Sequence, residues 1–182
     1  MSRHLLALRQ ATIGDASESI AAVLDQLARE DPVGAQWLRS LDWAELRRLA
    51  AERALAQAAK TLACPLQKQY ANASQYGTES GDPPKGTCIG VLVGGDTGYG
   101  SSVQLGVAID GQALSFFWNV ASQEAASGTL ERMRETVRQA FREQTRILML
   151  ELLSEDGEVQ REQDAAGRTV LRATLVVGGG AR

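Results

Sequence analysis

The sequence predicts an α+β fold, and three observations predict it. Apolar residues recur at helical spacing through the first 60 residues, the period switches to two from about residue 88, and a long helical stretch interrupts the later strands. The expected architecture is an N-terminal helical region over residues 1–63, a long polar linker or surface loop over 64–87, and a sheet domain over 88–182. That domain reads as mostly antiparallel, in the order βββαββ, with one long covering helix.

Each element follows from a local pattern. Asp15 and Glu18 make a capping-box-like start, and Ile20, Val23, Leu24 and Leu27 then recur on one helical face until Asp31-Pro32 ends the run. Val33 to Leu41 supplies one or two further turns. Asp42 with Glu45 repeats the capping pattern before an alanine-rich helix from Trp43 to about Ala63, whose small side chains permit close approach of a neighbour. The segment CPLQKQYANASQYGTESGDPPKGT holds three of the four prolines and has no periodic apolar pattern, which marks it as a linker.

Cys88 to Val93 is an aliphatic strand. Val103, Leu105, Val107 and Ile109 alternate with Gln104, Gly106 and Ala108 in a second, and Asp110-Gly111 turns into a third over Gln112 to Val120. Leu114, Phe116 and Trp118 share one face of that strand and Ser115, Phe117 and Asn119 the other, so Phe117 needs separate cover or forms an exposed spot. Ser122 to Gln144 is helical, with Leu130, Met133, Val137, Ala140 and Phe141 in one stripe. Ile147 to Leu153 and Thr169 to Val177 complete the pattern as two strands joined by the polar SEDGEVQREQDAAGR.

Composition restricts the chemistry. With 44% hydrophobic and 23% charged residues and a formal charge of -3, the chain reads as an ordinary globular protein without a field that steers it to nucleic acid or membrane. The aliphatic run Ile147 to Leu150 is far short of the roughly 20 residues that span a bilayer, and no secretory leader is recognisable, so the expected location is the cytoplasm. Two cysteines and one histidine do not make a standard four-ligand zinc site, and neither a metal nor a cofactor is expected. Cys64 and Cys88 read as reduced thiols in that compartment. His4 reads as a surface residue near a terminus, leaving a nucleophilic triad without a base. Glu155 and Asp156 read as a solvated hairpin tip.

Three features carry candidate sites. The glycine-rich loop Gly94 to Gly100 is followed by a strand and lacks a Gly-Lys-Ser/Thr, which argues against a phosphate cradle; Asp96 and Tyr99 at its tip are contact candidates. Arg134, Arg138 and Arg142, with Arg146, recur every four residues as a ribbon that could hold an anion or nucleic acid, although Glu131 and Glu135 share its sector and favour a salt-laced face. Trp37 and Trp43 flank a helix junction, and Tyr70 and Tyr76 punctuate the polar segment, as anchors for a protein partner.

Asp96-Thr97-Gly98 also resembles the active-site turn of retropepsin-like aspartic proteases, and Leu175-Val176-Val177-Gly178 echoes the aliphatic pair before glycine in that family. The resemblance implies a dimeric site in which two such aspartates share a proton and activate water. Gly94 and Gly95 stand where that family places apolar residues, and a long helix separates the two stretches. The expected function is therefore a non-catalytic cytoplasmic interaction or assembly subunit, bound to a protein partner or to itself, with no membrane association. A small hydrolase using Asp96, and anion or nucleic-acid binding through the 122–146 helix, are the alternatives.

Overall fold

The computed structural model describes residues 2–9, 20–68, 76–77, 87–96, 102–110, 113–119, 127–154, 157–167 and 169–177, and the chain is α+β as expected. Its elements are β1 (Ser2–Arg9), α1 (Ile20–Glu30), α2 (Pro32–Arg39), α3 (Trp43–Leu62), β2 (Leu66–Gln67), β3 (Tyr76–Gly77), β4 (Thr87–Asp96), β5 (Ser102–Asp110), β6 (Ala113–Asn119), α4 (Ser127–Leu153), β7 (Gln160–Gln163) and β8 (Thr169–Val177). Two compact units result, Met1–Asp42 with Thr145–Arg182, and Trp43–Gln144, so the division expected at 64–87 falls inside the second. No helix among the described residues is long and apolar enough to cross a membrane.

The second unit holds a five-stranded antiparallel sheet in the order β2-β4-β5-β6-β3. Alternation along β5 puts Val103, Leu105 and Val107 on the face that also carries Leu92, Phe116 and Trp118. Leu130, Met133 and Val137 of α4 and Leu55 and Ala58 of α3 complete that core. The alanines of α3 explain its place: Ala50, Ala51, Ala54 and Ala58 are all buried, and Leu55 reaches the strand at Gly90. Two short pieces of the expected linker add the sheet's edges, Leu66 opposite Leu92 and Tyr76 opposite Asn119.

The other sheet face carries Phe117, which is fully buried and clusters with Ala108 and half-buried Cys88. Its ring lies flat over Gly106, the residue directly across on β5. Glycine is what admits it, because a side chain there would occupy the ring's place. The expected need for separate cover is thus met in part by the sheet's own missing side chain.

The first unit departs from expectation in three ways. Ser2–Arg9 is a strand, not a helix, and pairs antiparallel with β8 along its whole length, from Ser2 opposite Val177 to Arg9 opposite Val170. Leucine and alanine favour helices locally, but strand pairing is decided by the partner. Ile147 to Leu153 is not a strand but the last two turns of α4, with Leu148, Met149, Leu150 and Leu153 buried. Ile147 to Leu150 is an unbroken apolar run before Glu151, and periodicity cannot tell so short a run in a helix from a buried strand. The polar connection between them contains β7, so the expected single βββαββ sheet is two sheets, the smaller in the order β1-β8-β7.

At the α1–α2 junction Asp31 is buried and caps α2, its carboxylate accepting the Gly34 amide at 2.8 Å. Pro32 at the first helical position needs no amide partner, and this is where the Asp-Pro pair was expected to end the preceding helix. Asp15 and Glu18 lie outside the described residues.

Candidate functional site

The glycine-rich turn is shorter than its composition suggests. β4 continues through Gly94 and Gly95 to Asp96; Gly94 pairs with Val103 and Asp96 with Ser102, leaving Gly95 as the extra residue of a bulge. Its φ of +74° is the left-handed conformation that glycine adopts at little cost. The connection is therefore residues 97–101, within the ordinary hairpin range, rather than Gly94 to Gly100. Thr97, Gly98 and Tyr99, and the side chain of Asp96, lie outside the described residues, as does Gly178. Leu175 to Val177 belong to β8, in the other unit.

The arginines of α4 are drawn onto the sheet. The Arg134 guanidinium sits 5.2 Å from the centroid of the Trp118 ring and 5.9 Å from that of Phe116, and Arg138 sits 5.1 Å from Phe116. Glu131 pairs with Arg134 at 2.9 Å, while Arg138 stands 3.8 Å from both Glu131 and Glu135. Only 13% of the Arg134 side chain is exposed. Burial, and then the neighbouring Arg138 charge, hold its guanidinium below the ordinary value. The group nonetheless stays charged at neutral pH. Arg142 is half-buried and Arg146 is buried. The Arg134 and Arg138 side chains roof aromatic surface, an arrangement worth on the order of 1 kcal/mol per stacked cation when partly desolvated.

A polar relay missed in the sequence lies beside them. The Gln57 side-chain amide of α3 donates through Nε2 to the Glu143 carboxylate of α4 at 3.0 Å, and Gln144 Nε2 donates to Gln57 Oε1 at 2.7 Å. Glu143 is buried, and the available signal was a glutamate three residues beyond Ala140 in the apolar stripe. Such a relay fixes helix register, since slipping either helix would strand buried polar atoms.

The cysteines are both free. Cys64 packs its sulfur where a Gly94 side chain would be, beside Met133, on the helix-covered face. Cys88 lies six residues earlier along β4, on the opposite, Phe117 side, because a bulge between Cys88 and Gly90 shifts the alternation. At about 3.3 Å per residue the two positions are on the order of 20 Å apart, far beyond disulfide reach. The melting temperature is expected to be the same with and without reductant, and thiol titration of the denatured, unreduced protein should return two groups; a single reductant-dependent transition would contradict this.

The remaining candidates are dispersed. Trp37 and Trp43 are half-buried, on α2 and at the start of α3. Tyr70, Glu155 and Asp156 lie outside the described residues, as do the side chains of Tyr76 and His4, whose backbones sit in β3 and opposite Leu175 in β1. Among the described residues no group of three or more histidine, cysteine, aspartate or glutamate side chains is arranged to hold a metal ion.

One side of β8 in the smaller sheet is only partly covered by a strand among the described residues. β8 pairs with β1 on one side from Val170 to Val177, but on the other side β7 covers only Thr169 to Arg172. Ala173 to Val177 therefore meet no strand on that side among the described residues. The β7–β8 connection is closed by Asp164, whose carbonyl accepts the Gly167 amide at 2.8 Å and whose carboxylate accepts the Ala166 amide at 2.9 Å. This turn sets the pairing of Gln163 with Thr169, and β7, which begins at Gln160 opposite Arg172, reaches no further along β8. The segment ATLVV contains no charge, no proline and no break in register, the usual devices that blunt an edge. No protein family, curated protein or solved structure significantly matches this chain.

Proposed function

We propose that the protein is a non-catalytic interaction or assembly subunit that takes an extended polypeptide segment, from a partner or from a second copy, as an added strand alongside β8. The reading is supported by the side of Ala173–Val177 that lies beyond the reach of β7. In strand addition the backbone hydrogen bonds supply affinity and alternate side chains supply selectivity. The protein would act in the cytoplasm, a compartment that suits two free thiols.

Capture from lysate combined with light scattering tests this. The wild type should hold a partner or form a defined oligomer. Thr174→Lys, which puts a charge on the part of β8 that β7 does not reach, should weaken that association at least tenfold while leaving the circular dichroism spectrum unchanged. A strict monomer that captures nothing, or an association indifferent to Thr174→Lys, would overturn the proposal.

A further inference from the structure

We draw no further inference here: the strongest candidate, the first turn of α4 where Thr129 packs against the bulge glycine Gly95 at the end of β4, is a helix N-terminus beside a glycine-rich strand end at which nothing among the described residues points to a ligand.

Discussion

Gly106→Ala is expected to destabilise the protein by about 3 kcal/mol, the upper part of the range for forcing extra volume into a packed site. An alanine Cβ would fall within 2.6 Å of three atoms of the Phe117 ring, two of them closer still. The obstacle is the face of a rigid aromatic ring, itself fully buried, and not the free end of a flexible chain. The ring can escape only by leaving its rotamer and uncovering Gly106, Ala108 and Cys88. Phe117→Ala on its own should cost about 3 to 5 kcal/mol through lost burial and the cavity left behind. The two changes should be far from additive, because once the ring is gone the methyl at residue 106 has room. Urea unfolding of both single variants and the double variant measures this. A Gly106→Ala protein as stable as wild type, or strict additivity, would show that the ring does not rest on that glycine.

Gly34→Ala should cost about 2 to 3 kcal/mol, the range for forcing extra volume into a packed site. In an exposed helix the same substitution would stabilise by up to about 1 kcal/mol. Here the added carbon would meet the Asp31 carboxylate and stand 2.8 Å from the Leu153 side chain at the end of α4. Asp31 would have to abandon the Gly34 amide, which removes a cap worth about 1 kcal/mol and displaces a buried charged group. Thermal melts in the Asp31→Ala background separate the causes. That background starts destabilised, and Gly34→Ala added to it should cost much less, only the residual contact with Leu153. An equal penalty in both backgrounds would place the damage elsewhere.

Most of the secondary structure was legible because it rests on local signals. α1 and α2 follow from amphipathic spacing and the Asp31-Pro32 pair, α3 from the Asp42 and Glu45 capping pattern and its alanine content, and the β4–β5–β6 meander from alternation. The misreadings all concern elements whose identity is set at a distance. β1 is a strand only because β8 is beside it, β7 is a polar edge with all four residues exposed and so without alternation, and the apolar run in the last turns of α4 is too short to show a period. The two-unit division was equally hidden, since one unit is built from segments more than 100 residues apart. Of the candidate site residues, the sequence correctly set Glu131 and Glu135 beside the arginines. It could not foresee that Arg134 and Arg138 would lie over Phe116 and Trp118, because that depends on which sheet face the helix covers. The short reach of β7 along β8 was illegible for the same reason as β7 itself: how far a strand is covered depends on where its neighbour stops.

The partly covered side of β8 also bears on how the chain must be handled in the cell and at the bench. Five consecutive uncharged residues that meet no strand on one side among the described residues have the composition of a nucleus for chain-to-chain stacking. If β8 takes an added strand as proposed, solubility should depend on what is made alongside the protein: made in excess of that strand's source it should precipitate more readily, and coexpression should raise the soluble yield. The stoichiometry of synthesis becomes part of the protein's physical chemistry.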